Sequence, residues 1–140
     1  MIKIYGTENS RAMRPIWTAE EMGLDYELIM MPFPPRVFMK EYLDINILGT
    51  VPYMIDGDIK MTDSVAISQY FVEQYGPTDI QVLPNEDDYP LYLNWLFHSD
   101  ATLTFPQTVV LRYKFQEPGV ADAAVELSLI HISEPTRRLV

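Results

Sequence analysis

The fold is decided by residues 46–64, which read NILGTVPYMIDGDIKMTDS. Two β-prone segments, residues 51–55 and 58–61, lie on either side of Asp56-Gly57. An Asp-Gly pair between two such segments is the strongest short-range signal for a β-hairpin. The closing Thr-Asp-Ser is a sequence that caps helices. The pattern therefore predicts a hairpin that is followed directly by a helix over residues 65–75.

The residues before the hairpin predict two further strands, each followed by a helix. Alternating apolar and polar residues indicate a strand over residues 2–5, and helical spacing of apolar residues indicates a helix over 11–22, ended by Gly23. A second strand is predicted over 26–31 and a short helix over 36–43. The whole order is βαβ, a helix, ββ and a helix, which predicts a thioredoxin-like α/β domain.

The remainder of the chain is predicted to be helical. Aromatic and leucine residues at helical spacing indicate one helix over residues 89–103 and a second over 108–115. We expect an α/β thioredoxin-like N-terminal domain followed by an incomplete all-helical C-terminal domain. The expected boundaries are 1–77 for the first domain, 78–88 for an acidic linker, 89–126 for the truncated helical domain and 127–140 for a tail.

The tail does not match the rest of the sequence. Residues 127–133 alternate like a strand that has no partner, and the residues after them resemble the peptide produced when a sequencing adapter is translated at the end of a gene fragment. We therefore expect residues 127–140 to be non-native and the chain to be a C-terminally truncated form. An unusual native tail is the alternative.

Composition excludes several classes of function. The chain has 140 residues and a net charge of −10, so we expect neither nucleic acid nor a membrane surface as a partner. No run approaches the ~18–20 apolar residues of a membrane span. With no cysteine and two histidines, the sequence predicts no disulfide framework and no metal site. A cytoplasmic location is compatible with this composition.

Two short motifs together favour binding of a peptide-like ligand. A cis bond between Val51 and Pro52 would accommodate proline at the strand entrance, and it would leave the Val51 N–H and C=O available to an extended ligand. Asp63 and Ser64 at a helix N-terminus offer a carboxylate for an ammonium group and N–H and O–H donors for a carboxylate. Taken singly, each motif could be only a turn or a cap. Their joint spacing favours recognition of an amino-acid head group on a short peptide.

The whole pattern resembles the cytosolic glutathione S-transferase family, in particular its serine-type, bacterial theta- or beta-like members. The resemblance is strongest over residues 46–52, 62–67, 10–17 and 20–27. It implies glutathione as co-substrate, a small electrophile as second substrate, and a homodimer in the full-length form. It also implies that Pro52 is cis, that Val51 pairs with the cysteinyl part of glutathione, and that Asp63 and Ser64 hold the γ-glutamyl group.

The catalytic candidate is a hydrogen-bond donor for the thiolate of glutathione. Ser10 lies four residues before Arg14, a spacing similar to that of the serine-type classes, and Asn9 is the next candidate. A donor aimed at the sulfur favours thiolate over thiol. Arg11 could add positive charge near the sulfur. Alternatively, Ser10 or Asn9 serves only as a helix cap. Thr50 stands where several classes have Gln or Lys, and this departure from the family pattern leaves open whether its side chain contacts glutathione.

These observations lead to one main function and one alternative. We expect a glutathione S-transferase whose full-length form conjugates the thiolate to small electrophiles, with reduced activity in this truncated chain. The alternative is a non-catalytic binding or assembly module that keeps the Val51-Pro52 feature and need not use Ser10. A glutathione-dependent oxidoreductase is disfavoured because the chain has no cysteine.

Overall fold

A computed structural model describes residues 1–105 of the chain. The chain divides into two compact units, of which the first is Met1–Gln81 and the second begins at Val82. The first unit contains all the strands of the described residues and every sequence-predicted site residue.

The first unit is built on a four-stranded sheet. Its strands are β1 (Ile2–Gly6), β2 (Tyr26–Met30), β3 (Tyr53–Asp56) and β4 (Ile59–Met61). They lie in the order β2-β1-β3-β4, with β1 parallel to β2 and antiparallel to β3, and with β3 antiparallel to β4. This mixed sheet confirms the thioredoxin-like fold that the element order predicts.

Helix α1 (Met13–Glu21) connects the two parallel strands, as the apolar spacing predicts. It begins two residues later than expected, which places Pro15 in its first turn, where a backbone N–H has no intrahelical acceptor in any case. Gly23 ends the helix at φ +63°, a conformation that glycine adopts without steric cost. The predicted stop signal is therefore confirmed, and the predicted start is corrected.

The expected helix over residues 36–43 is wrong as a single element. The chain instead forms one short helical segment, α2 (Pro35–Phe38), and then a 3₁₀ segment, Lys40–Asp44. Met39 separates them because its φ of −141° is not helical. The break matters for the site, since the 3₁₀ segment carries Tyr42 into the interior.

The predicted hairpin and its following helix are confirmed. Gly57 occupies the turn between β3 and β4 at φ +58°, and α3 (Ser64–Tyr75) follows with Asp63 as its N-cap. The hydroxyls of Tyr70 and Tyr75 both donate to Oδ2 of Asp56 and so attach α3 to the end of β3. The hydrogen bond to Asp56, followed by burial, raises the pKa of Tyr75 to about 12.

Two hydrophobic clusters hold the first unit together, one for each face of β1. Because side chains alternate along a strand, Ile4 joins one cluster and Tyr5 the other. The larger cluster packs α1 and α3 on the sheet and includes Ile16 and Phe71. The smaller cluster consists of Tyr5, Met31, Tyr42 and Tyr53.

The first helix of the second unit is α4 (Tyr89–His98), which continues as π-helical turns over Ser99–Thr104. Pro90 lies at the start of α4, where its missing N–H costs no hydrogen bond. The predicted helix over residues 89–103 is confirmed. The predicted helix over 108–115 and the tail over 127–140 lie outside the described residues.

Candidate functional site at the sheet edge

Three segments that carry predicted site residues meet at one edge of the sheet. Tyr5 at the end of β1 pairs with Tyr53 at the start of β3, and Met54 pairs with Met61 at the end of β4. The residues after β1, before β3 and after β4 therefore leave the sheet at the same edge. These residues include Ser10, Val51 and Asp63.

The Val51–Pro52 peptide bond is cis, as the sequence predicts. The predicted strand start at Val51 is wrong, because β3 begins at Tyr53. Val51 and Pro52 therefore precede the strand and lie outside its hydrogen-bonded ladder. Within residues 1–105, neither the N–H nor the C=O of Val51 has a hydrogen-bond partner. Val51 thus presents one donor and one acceptor in the way an edge strand does.

Two buried side chains fix the peptide group between Thr50 and Val51. The carbonyl oxygen of Thr50 accepts hydrogen bonds from the Tyr42 hydroxyl and from Nδ2 of Asn46, each at 2.9 Å. Both side chains are buried, with 1% of Tyr42 and 4% of Asn46 exposed. Burial raises the pKa of Tyr42 despite an opposing effect of Asn46, so its hydroxyl remains a donor at neutral pH. Asn46 lies within the motif that decides the fold, but the sequence pattern did not predict that its side chain would bind the Thr50 carbonyl.

The start of α3 combines a carboxylate with helix N–H groups. Oδ1 of Asp63 accepts from the backbone N–H of Val65 and of Ala66, both at 3.0 Å. The rest of the Asp63 side chain is exposed, whereas Ser64 beside it is buried. Asp63 is therefore a helix cap, as predicted, and its geometry leaves the carboxylate open to solvent.

Arg14 links α1 to the start of α3, a connection that the sequence reasoning missed. Its Nη1 donates to Oγ of Ser64 at 3.1 Å, across 50 positions of sequence. A hydroxyl that accepts from Arg14 keeps its own proton for another acceptor. Ser64 therefore has a negatively charged neighbour, Asp63, and a positively charged one, Arg14.

The predicted thiolate donors lie in the turn between β1 and α1. The Ser10 hydroxyl donates to the Thr7 carbonyl at 2.7 Å and accepts from the Ala12 N–H at 3.2 Å. The expectation that Ser10 or Asn9 caps α1 is wrong, because the N-cap is Ala12 and no side chain caps the helix. Ser10 stabilises the turn that precedes the helix instead.

Asn9 and Arg11, on either side of Ser10, are both exposed. Asn9 adopts a left-handed conformation with φ 56°, which asparagine tolerates better than most residues. The structure thus places the three residues in one turn at the sheet edge.

Two other kinds of site find no support in the part of the chain that the structure describes. Within residues 1–105, no group of three or more His, Asp or Glu side chains is placed to hold a metal ion. In the same residues, no helix has the combination of length and apolar character needed to cross a bilayer.

The sequence model of the family described as "Glutathione S-transferase, N-terminal domain" matches residues 4–79, more than half of the chain. The chain belongs to this family. The match runs from the middle of β1 to just beyond α3 and includes every residue of the site at the sheet edge. The family resemblance predicted from the motifs is confirmed, whereas its serine-type subdivision is not tested by this match.

Curated relatives of this glutathione S-transferase domain are considerably longer than the chain. A glutathione S-transferase of Hyoscyamus muticus is 37% identical over 87 residues, which are 61% of this chain and 41% of the relative. Glutathione S-transferase 3 of Schizosaccharomyces pombe is 29% identical over 106 residues, which are 74% of this chain and 43% of the relative. The chain thus spans about two-fifths of the length of these relatives.

Solved structures share the fold of this glutathione S-transferase domain. The glutathione transferase URE2P6 of Phanerochaete chrysosporium, in complex with oxidized glutathione, superposes with a TM-score of 0.77 at 26% identity. The superposition covers 94% of this chain and 62% of that chain. A glutathione transferase of Methylococcus capsulatus, at 21% identity, has a TM-score of 0.76 and covers 99% of this chain and 66% of that one.

Proposed function

We propose that this chain binds glutathione at the sheet edge, with the tripeptide extended along Val51. One observation carries the proposal: Val51 presents an N–H and a C=O without partners in the described residues, at the edge where Ser10 and Asp63 also lie. The cysteinyl C=O and N–H of glutathione would pair with these two groups as a neighbouring strand does. Family membership and the complex of URE2P6 with oxidized glutathione support the choice of ligand.

The γ-glutamyl end of glutathione fits the start of α3. Its ammonium group would contact the exposed carboxylate of Asp63, and its carboxylate would accept from the N–H and hydroxyl of Ser64. The Arg14 guanidinium, within hydrogen-bond distance of Ser64, adds positive charge beside that carboxylate. An α-amino-acid group carries one charge of each sign, and Asp63 and Arg14 supply the opposite pair.

The thiolate of bound glutathione would be stabilised by Ser10. The Ser10 proton is directed at the neutral carbonyl of Thr7, and an anionic sulfur would compete for it because charge-assisted hydrogen bonds are the stronger ones. Rotation of the Ser10 hydroxyl away from Thr7 would redirect its proton to the sulfur. Arg11 would add positive charge, and Asn9 is the second candidate donor.

In the full-length form we propose transfer of the glutathione thiolate to a small electrophile. In a substitution, the sulfur forms a bond to an electrophilic carbon, and the bond from that carbon to the leaving group breaks, so that the leaving group departs with its electron pair. In an addition, the sulfur bonds to one end of an activated double bond, and the displaced π electron pair takes up a proton from solvent. The proposal includes three expectations from the family resemblance: a serine-type transferase similar to bacterial theta or beta members, a homodimer, and a cytoplasmic location. Residues 127–140 have no part in the proposal.

Calorimetry with glutathione and a conjugation assay with a chlorodinitrobenzene electrophile test the proposal on the 140-residue chain and on the gene carried to its natural stop. We expect both chains to bind glutathione and the longer one to conjugate it. Binding without conjugation in the longer chain would identify a non-catalytic module. Absence of binding in both would refute the proposed function.

A further inference from the structure

Tyr42 and Asn46 are buried side chains that contact Thr50, the residue before Val51, and the proposed function gives them no role. They lie in the 3₁₀ segment and just after it, one helical turn apart. Both donate to the same backbone oxygen, that of Thr50. A carbonyl oxygen has two lone pairs, so these two donors saturate it.

The surrounding structure fixes both donors. The Tyr42 ring packs against Tyr5 with a centroid distance of 5.5 Å, and only 1% of the side chain is exposed. Oδ1 of Asn46 accepts from the Leu48 N–H at 3.2 Å, which orients its amide so that Nδ2 faces Thr50. Neither donor can turn away without losing a buried contact.

The chain between Asn46 and Thr50 is closed into a tight loop by Gly49. Its N–H donates to the Asn46 carbonyl at 2.8 Å, and its φ of +59° suits glycine. A side chain at this position would also clash, because a Cβ would lie 2.6 Å from Cβ of Arg36. The loop therefore returns the Thr50 carbonyl to the two donors in one conformation.

Planarity transmits this constraint to Val51. The Thr50 carbonyl and the Val51 N–H belong to one peptide group, and in a trans peptide the two bonds point in opposite directions. Fixing the oxygen toward the buried pair therefore fixes the N–H in the direction away from it. That N–H is the donor which the proposed function assigns to the cysteinyl carbonyl of glutathione.

We infer that Tyr42 and Asn46 are positioning residues that aim the Val51 N–H at the cysteinyl carbonyl of glutathione. The inference rests on the proposed function, since it concerns how one of its hydrogen bonds is preorganised. The pair does not touch the ligand. It acts by removing the rotation of one peptide group, which would otherwise be lost on binding.

The test combines protein variants with two ligands. Tyr42→Phe removes one donor, and Asn46→Asp replaces the other with an oxygen while keeping the acceptor for Leu48. Tyr53→Phe is the matched control, because it removes a hydroxyl from the same aromatic cluster without affecting Thr50. The ligands are glutathione and its alkene isostere, which lacks the cysteinyl carbonyl oxygen and keeps the trans geometry.

Calorimetry on the full chain should show a dependence on the ligand. We expect Tyr42→Phe and Asn46→Asp each to weaken binding of glutathione about 3- to 10-fold, and binding of the isostere by less than about twofold, because a net hydrogen bond is the quantity at stake. Tyr53→Phe should change neither. A purely structural role would weaken both ligands equally.

Three outcomes overturn the inference. Equal loss of both ligands, no loss of either, or failure of both variants to fold would each assign the pair to stability alone. If the unmodified chain binds neither ligand, the proposed function itself fails, and the two failures are thereby distinguished. Unfolding by urea, followed for every variant, establishes which of these cases applies.

Discussion

Replacement of Asp63 by asparagine separates two functions of one side chain. Oδ1 of Asp63 accepts two hydrogen bonds at the start of α3, and the exposed carboxylate is assigned to the ammonium group of glutathione. Asparagine caps helices about as well as aspartate and keeps an oxygen at Oδ1, but it carries no charge. Asp63→Asn should therefore weaken binding and leave the fold nearly unchanged.

The size of the effect follows from the exposure of Asp63. A hydrogen bond to a charged group contributes about 1.5–3 kcal/mol in general, and solvent screening at an exposed site reduces it. We expect Asp63→Asn to cost about 1–2 kcal/mol of binding free energy, which is about 5- to 30-fold in Kd. Loss of the charge at the helix N-terminus should cost about 0.3–1 kcal/mol of stability.

Asp63→Ala removes the cap as well as the charge. Its two N–H partners, Val65 and Ala66, then have only water as acceptor, so we expect a further loss of stability that brings the total to about 0.5–2 kcal/mol. Binding should weaken by about 1–3 kcal/mol, at least as much as in Asp63→Asn. The comparison of the two variants shows how much of the binding loss comes from disorder at the start of α3.

The assay is calorimetric titration with glutathione and with an analogue that lacks the γ-glutamyl amino group. Urea unfolding of each variant supplies the free energy of unfolding. For the analogue, aspartate and asparagine at position 63 should bind equally, since no ammonium group is present. Equal affinity of Asp63 and Asp63→Asn for glutathione itself would refute the charge assignment, whatever the effect of Asp63→Ala.

Three further changes test other parts of the structure. Ser10→Ala should lower conjugation by the full-length form and raise the pKa of the bound glutathione thiol, measured by thiolate absorbance, with little change in affinity. If turnover survives in this variant but collapses in Asn9→Ala, Asn9 rather than Ser10 is the donor. Gly49→Ala should destabilise the fold by about 1–3 kcal/mol in urea unfolding, because it forces a Cβ to 2.6 Å from Arg36 at a φ of +59°; an unchanged midpoint would contradict the close approach. The pKa of Tyr75 is about 12 in the folded state against about 10 when unfolded, so its hydroxyl contributes stability below pH about 10 that is lost toward pH about 12. Tyr75→Phe should therefore lose less stability than the unmodified chain between these two pH values.

Local signals predicted most of the first unit. Asp56-Gly57 fixed the hairpin, Asp63 the start of α3, and Gly23 the end of α1, and each acts within a few residues of its own position. The strand pattern then left few possible arrangements of the sheet, because consecutive strands usually lie side by side and a βαβ crossover is right-handed. Signals of this kind can be predicted from sequence because both partners lie in one short window.

Long-range contacts could not be predicted in the same way. The bond from Arg14 to Ser64 joins residues 50 positions apart, and nothing near either residue indicates it. The error at the start of α1 has a related cause: Ser10 has the chemistry of a cap, but its hydroxyl is used by Thr7 and Ala12 in the preceding turn. A residue type shows what a side chain can do, whereas the neighbouring backbone determines which option it takes.

Asp63 shows why part of the site could be predicted from the sequence. Its carboxylate oxygen Oδ1 serves the helix and the remaining charge is assigned to the ligand, so the residue that binds is also the residue that starts an element. Tyr42 and Asn46 act through a third residue, Thr50, and their type alone does not reveal that action. Ligand-binding residues that also shape local structure can be recognised as part of a sequence motif. The residues that position them are recognised only in the structure, as buried polar side chains. Within this chain, buried hydroxyl and amide groups beside a binding segment are therefore the place to look for residues that set affinity without touching the ligand.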